Sequence, residues 1–270
     1  MPAVKDITSA KNPQIKNVLD LRERKTRDKT GLMIVEGTRE IMQAREAGVK
    51  FREAFFCQEL IHHDEARGLA GFLKKENIGL YETSEEIFAK ISFGERMEGI
   101  LAVCEKPRVA FSDIKISQTP FLVVVEGVEK PGNLGAILRT ADAAGVDGVI
   151  LTDGITDVAN PNVVRSSLGT VFSVKVVEGT NTETLNFLKK SHIKICAAFP
   201  AAKEIYTDVP LDASLAVILG SEQKGLSDFW KANADLKVKI PMYGHADSLN
   251  VSATAAVLVY EARRQRNLKK

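Results

Sequence analysis

FLVVVEGVEKPGNLGAILRTADAAG, residues Phe121–Gly145, decides how this chain is read. Its apolar run LVVV carries no polar alternation, the mark of a strand buried on both faces of a parallel sheet. The run stops at Glu126-Gly127 and gives way to a helix beginning near Asn133. Two later stretches repeat that plan: AVILGSEQKGLS (Ala216–Ser227) and KIPMYGHADSLNVSATAAVLVYEARRQR (Lys239–Arg266). Strand ends that stop in small, polar, backbone-exposing residues are where open α/β sheets bind ligands. Three of them point to one composite site in the C-terminal half.

Working outward, further strands are expected at Gly148–Leu151, Val171–Val176, Ile193–Ala198, Leu215–Leu219 and Leu236–Ile240. Helices are expected near Asn162, Thr182 and Gly225, and from about Leu249 to Arg266. Upstream, GLMIVEG (Gly31–Gly37), FREAFFCQE (Phe51–Glu59), IGLYETS (Ile78–Ser84) and Gly99–Cys104 read as strands alternating with helices over Arg39–Ala47, Asp64–Glu76 and Glu85–Ile91. Residues 1–29 read as one basic helix with Ile15, Val18, Leu19 and Leu21 on a face. The expected organisation is an α/β domain over residues 1–106, a linker over 107–120, and a mainly parallel α/β domain over 121–270.

The chain has 270 residues, 44% hydrophobic and 27% charged, as in soluble globular proteins. No apolar run nears the ~18–20 residues of a membrane span. The first residues lack the apolar core of an export signal, so a cytoplasmic protein without membrane contact is expected. Three widely spaced cysteines, Cys57, Cys104 and Cys196, read as buried free thiols. Net charge is only +2, but residues 1–29 carry eight Lys/Arg against four Asp/Glu, and residues 237–270 seven against two. Basic ends around an acidic middle suit a polyanionic partner. Arg22, Arg24, Lys25, Arg27 and Lys29 are the candidate phosphate contacts.

Several chemistries are excluded. Gly127, Gly132 and Gly135 mimic a dinucleotide loop, but the first two stand five apart with Pro131 between them, whereas that fold needs G-x-G-x-x-G. No Gly-Lys-Ser/Thr forms a phosphate loop. The four histidines have no zinc-ligand spacing, so no metal is expected. No serine sits in G-x-S-x-G.

The ordered motifs E-x-x-x-x-P-G-N-L-G-A-I-L-R-T-A, L-G-S-E-x-x-G-L-S and I-P-M-x-G-x-x-x-S-L-N-V-S-x-A resemble those of the SpoU/TrmH branch of SPOUT RNA methyltransferases, over residues ~121–266. ITSAKNPQIK, RERKTRDKTG and LMIVEG look like the N-terminal substrate-binding domain of that branch's rRNA 2′-O-ribose methyltransferases. The resemblance implies a deep trefoil knot in the C-terminal domain, S-adenosylmethionine bound among the knotted loops, and a homodimer. It also implies RNA as the partner, most of all 23S rRNA.

By the same resemblance, Leu219, Gly220, Ile240, Met242, Leu249 and Asn250 hold the cofactor, while Asn133, Arg139, Glu222, Ser248 and Asn250 serve catalysis. A guanidinium is not readily deprotonated, so Arg139 is expected to orient the ribose or its phosphate and stabilise the developing alkoxide. Glu222 would position Arg139 or the helix end. Ser248 and Asn250 also read as caps of the last helix. Motif one departs from the family in placing Lys130 before Pro131, and Tyr243–Asp247 is variable ground. Competing readings are a tRNA 2′-O-methyltransferase, an rRNA-methylating antibiotic-resistance enzyme, and a catalytically silent RNA-binding protein.

Overall fold

A computed structural model describes residues 3–93 and 97–268. The chain forms two compact units, Met1–Pro107 with Asp157–Ser173, and Arg108–Thr156 with Val174–Lys270.

In the first unit, β1 (Lys5–Ile7) is followed by α1 (Pro13–Asp20), α2 (Arg24–Thr30), β2 (Leu32–Glu36), α3 (Thr38–Glu46), β3 (Phe51–Phe56), α4 (Asp64–Leu73), β4 (Gly79–Thr83), α5 (Glu85–Ile91) and β5 (Ile100–Glu105). The five strands lie in the order β1-β4-β3-β5-β2. β1, β4 and β3 run parallel, and β5 is antiparallel to both β3 and β2. Phe55 stacks on Tyr81 with ring centroids 5.0 Å apart, inside a core with Ile15, Val18, Phe88 and Leu101.

The single basic helix expected over residues 1–29 is instead a strand and two helices. Pro13 lacks a backbone donor and has its φ set for a first helical turn, so a helix starts there. Asn12 caps it by accepting the N–H of Gln14 at 2.9 Å. After α2 the chain turns out at Gly31, whose φ of 67° is left-handed.

The second unit contains β6 (Phe121–Glu126), α6 (Pro131–Ala143) and β7 (Gly148–Thr152). The chain then contributes α7 (Pro161–Ser166) and α8 (Thr170–Ser173) to the first unit, where α7 packs on β2 and α8 on α3. It returns with β8 (Val176–Gly179), α9 (Asn181–Lys190), β9 (Lys194–Ala198), β10 (Glu204–Ile205), β11 (Leu215–Leu219), α10 (Asp228–Asn233), β12 (Leu236–Lys239) and α11 (Val251–Asn267). The strand expected over Val171–Val176 is therefore a helical turn followed by a later strand. Leu168 and Gly169 both take left-handed backbone, which curls the segment before β8 can join β7 at Val149–Val176.

Seven strands form the second sheet in the order β10-β12-β9-β11-β6-β7-β8, every adjacent pair parallel. LVVV and AVIL lie in adjacent central strands and are wholly buried, as their unbroken apolar character requires. Trp230 of α10 is fully buried against Ile195, Ile218 and Leu188.

The three cysteines are free and buried. Burial pushes the Cys57 thiol up to about 11 and that of Cys196 up to about 12, and raises Cys104 further. Among the described residues no helix is long and apolar enough to cross a membrane, and no cluster of three or more His, Cys, Asp or Glu is placed to hold a metal ion.

Candidate active site

In the second sheet, β11 lies beside β6 with Leu219 opposite Val125, so the chain leaves β11 at Gly220 next to the end of β6. The loop that follows closes on itself. Ser221 and Gly225 exchange backbone hydrogen bonds at 3.1 Å, and the Ser221 hydroxyl accepts the N–H of Lys224 at 3.0 Å. A Cβ on Gly220 would collide with the backbone of Gly225 and Leu226, so only glycine lets the two limbs of the loop meet.

Against this loop lies a cavity of about 350 Å³. Its other walls are Ile240 and Met242 beyond β12, Asp247–Leu249, the first turn of α11, and Ala198–Pro200 at the end of β9. The five apolar or glycine positions expected to cradle a cofactor, Leu219, Gly220, Ile240, Met242 and Leu249, all line it, as do Glu222 and Ser248. Asn133, Arg139 and Asn250 are not among its lining residues. The wall at Ala198-Phe199-Pro200 was not anticipated from sequence. Its signal was there, since KICAAFP is a fourth apolar strand that stops in a chain-breaking residue.

A line of polar side chains joins the three segments. Asn250 caps α11 by accepting the N–H of Ser252 at 2.9 Å, and its amide nitrogen donates to Oδ1 of Asn133 at 3.2 Å. Asn133, in the first turn of α6, donates its own amide to Oε1 of Glu222 at 2.5 Å. Oε2 of Glu222 accepts the backbone N–H of Glu129 at 3.4 Å. Partial burial pushes the Glu222 carboxyl up, but donation by Asn133 and by the backbone at Glu222, Glu129 and Lys130 outweighs it. Its pKa lies below the usual carboxylate value. Glu222 is therefore an ionised acceptor at neutral pH and a poor base.

Of the two partners expected for Glu222, it takes the helix end, bonding Asn133 in the first turn of α6, and not Arg139. Arg139 is exposed, and among the described residues it makes no hydrogen bond or ion pair. Six residues of helix turn through about 600°, which leaves Arg139 on a different side of α6 from Asn133. One expectation needs correction: Ser248 caps no helix, because Asn250 is the cap of α11, and the exposed Ser248 hydroxyl donates to Asp247 at 3.3 Å.

In the first unit the basic cluster divides. Arg27 is 1% exposed and cannot meet a phosphate. It forms a two-pronged ion pair with Asp157, 2.6 Å at the shorter contact, and donates to the carbonyls of Leu21 and Arg22. Arg22 is half-buried, donating to the carbonyls of Lys90 and Ser92 at 2.9 Å and lying over the Phe93 ring. Arg24, Lys25 and Lys29 stay exposed, with Arg24 paired to Asp28 at 3.5 Å. A buried guanidinium and an exposed one look alike in RERKTRDK. Only the tertiary partner tells them apart.

Known proteins match the chain over both of its regions. Residues 120–260 match the SpoU rRNA Methylase family, and residues 12–102 match the MRM3-like substrate binding domain. A 23S rRNA (guanosine(2553)-2′-O)-methyltransferase, RlmP, from Bacillus subtilis is 32% identical over 96% of this chain and 100% of its own length. A 23S rRNA (adenosine(1067)-2′-O)-methyltransferase from Streptomyces azureus is 31% identical over 99% of this chain and 98% of its own. The AdoMet-bound rRNA methyltransferase from Sinorhizobium meliloti superposes with a TM-score of 0.88 at 27% identity, covering 97% of this chain and 98% of that one. With its three ordered motifs joined by the Asn250–Asn133–Glu222 hydrogen bonds and both regions matched, the chain belongs to the SpoU rRNA methylase family.

Proposed function

We propose that this protein transfers a methyl group from S-adenosylmethionine to a ribose 2′-hydroxyl of large-subunit ribosomal RNA. The observation that carries the reading is the hydrogen-bonded line Asn250–Asn133–Glu222, which sets polar groups from all three motifs beside one cavity. The cavity fits the cofactor. Its volume of about 350 Å³ falls in the ligand-pocket range, Leu219, Ile240, Met242 and Leu249 supply apolar surface for an adenine, and Gly220 brings bare backbone close. When bound there, S-adenosylmethionine supplies an electrophilic methyl on a sulfonium.

The chain's own groups hold and orient. Asn133 and Asn250, locked to each other, fix the start of α6 against the start of α11. Glu222 anchors Asn133 and stays ionised, so it does not take up the hydroxyl proton at neutral pH. Ser248, on the cavity wall, is placed to hydrogen-bond the cofactor or the ribose. Arg139, exposed on α6, orients the RNA and offsets the negative charge that develops on the attacking oxygen. A solvent-facing Arg139 fits a site completed by a second copy of this chain, so a homodimer is part of the proposal, as is a knotted second unit. Arg24, Lys25 and Lys29 contact phosphates, and an rRNA substrate places the protein in the cytoplasm.

Calorimetric titration with S-adenosylmethionine and with NAD, followed by mapping of ribose methylation in rRNA from cells with and without the protein, tests the reading. S-adenosylmethionine binding and one lost 2′-O-methyl mark are expected. Binding of NAD alone, or no changed mark in any rRNA, overturns it.

A further inference from the structure

We propose that Glu126 is a positioning residue that sets cofactor affinity by holding the 220–227 loop closed; this rests on the cofactor reading above. Glu126 ends β6 and is 7% exposed. A buried carboxylate must have its oxygens satisfied. Among the described residues no cation bonds it. Its donors come from two side chains and one backbone group. Oε1 accepts the Ser227 hydroxyl at 2.6 Å and the Asn181 amide at 2.8 Å, and Oε2 accepts the Ser227 backbone N–H at 2.8 Å.

The position of Ser227 gives this arrangement its consequence. The loop leaves β11 at Gly220, beside the end of β6, makes the Ser221–Gly225 turn that walls the cavity, and returns at Ser227 to the same carboxylate. Glu126 therefore fastens the loop's second limb next to its first, where Gly220 already touches the Gly225–Leu226 backbone. The carboxylate cannot drift, because its other partner is fixed. Asn181 also donates to Asp153 at 2.7 Å and accepts the indole N–H of fully buried Trp230 at 2.7 Å. Freeing Ser227 would let the loop open and would disorder the wall formed by Gly220–Leu226. With the site empty, the opened loop would also carry Glu222 away from Asn133, and saturating cofactor, by reseating the wall, would restore that bond. The effect should therefore appear in cofactor binding, with the chemical step recovered at saturation.

Glu126→Gln tests this, since its amide turns at least one of the three contacts into donor against donor. Loss of a hydrogen bond to a charged group predicts a rise of about tenfold or more in the Kd and KM for S-adenosylmethionine. The kcat at saturating cofactor should stay within about twofold of wild type, and RNA affinity should be unchanged. Ser227→Ala keeps the backbone donor and should raise the Kd less, by about threefold. Asp147→Asn is the matched control. Asp147 accepts the Phe121 N–H at 2.7 Å at the opposite end of β6, so its loss should lower Tm with cofactor affinity intact.

A folded Glu126→Gln with wild-type affinity, or one that loses kcat with KM unchanged, overturns the proposal. If Glu126→Gln does not fold, Ser227→Ala decides, and an unchanged Kd there overturns it equally. Failure of the wild type itself to bind S-adenosylmethionine defeats the functional reading first, and this proposal with it.

Discussion

Asn250 donates its amide to the carbonyl of Asn133 at 3.2 Å, joining two residues 117 positions apart. That contact fixes which end of Asn133 faces which partner. With its oxygen turned to Asn250, Asn133 presents only N–H to Glu222, which as a carboxylate can only accept. Asn250 is constrained in turn, because its own carbonyl is committed to Ser252 as the cap of α11. One orientation of each amide satisfies the whole line. The start of α6, the 220–227 loop and the start of α11 are thereby fixed together by side chains that sequence order keeps far apart.

Asn133→Ala should therefore do more than remove one side chain. It leaves Glu222 without its side-chain donor and Asn250 without its acceptor. A hydrogen bond to a charged group is worth about 1.5–3 kcal/mol, so single-turnover methyl transfer should fall by roughly ten- to a hundredfold. Asn250→Ala breaks the same line, so the double variant should fall short of the two effects added, by about 0.5–3 kcal/mol. Strict additivity would show that the line does not act as a unit.

Glu222 carries a pH prediction. Its folded pKa is depressed below 4.5, so the stability contributed by its hydrogen bonds is complete above that value and is lost as pH falls through the folded pKa. Between pH 5 and 9 Glu222 should not change charge. The pH profile of kcat/KM should show no limb from this residue, and Glu222→Gln should lower the plateau without moving any inflection. An acid limb near neutrality that vanishes in Glu222→Gln would make Glu222 a proton carrier after all.

The parallel sheet of the second unit was readable because its strands are short unbroken apolar runs, and its loops because they stop in Gly, Ser and Asn. Gly220 was legible for the same reason: AVILG places a residue without a side chain at the strand end. What could not be read was the fate of charge. Arg27 and Lys25 sit two apart in one basic run, yet one is buried on Asp157, a residue 130 positions away, and the other faces solvent. Arg139 shows the converse: Ile137, Leu138 and Ala141 around it in sequence are buried, yet the guanidinium among them is exposed. The passage of Asp157–Ser173 into the first unit has no local signature either, since it depends on that ion pair and on α7 and α8 packing against β2 and α3.

The divided basic cluster yields a prediction in two halves. Arg27→Ala leaves Asp157 buried without its cation and should destabilise the protein by about 3–5 kcal/mol in urea unfolding. Arg27→Lys should recover only part, because an ammonium cannot bridge both carboxylate oxygens and two carbonyls at once. Lys25→Ala should leave stability within about 0.5 kcal/mol. It should weaken RNA binding across sequences and reduce the slope of log K against log salt by about one. An unchanged slope would remove Lys25 from the RNA surface.

Arg139 offers the sharpest separation of folding, binding and chemistry. Exposed and unbonded among the described residues, it contributes little to the fold, so Arg139→Ala should keep Tm and unfolding free energy within about 0.5 kcal/mol of wild type. The cavity is lined by other segments, so the Kd for S-adenosylmethionine should also hold. Methyl transfer to a target rRNA should nonetheless fall by roughly a hundredfold or more, the scale of losing a group that stabilises charge in the transition state. Arg139→Lys should restore only part of that rate, because a point charge cannot hold ribose and phosphate through one planar fork. Measuring single-turnover transfer beside cofactor affinity for each variant separates the outcomes. Because the proposal has a second copy complete the site around a solvent-facing guanidinium, a variant that cannot pair with another copy should show the same loss with Arg139 intact. Full transfer by a folded Arg139→Ala would move the chemistry to another residue, and full transfer by a monomer would show that one chain holds the whole site.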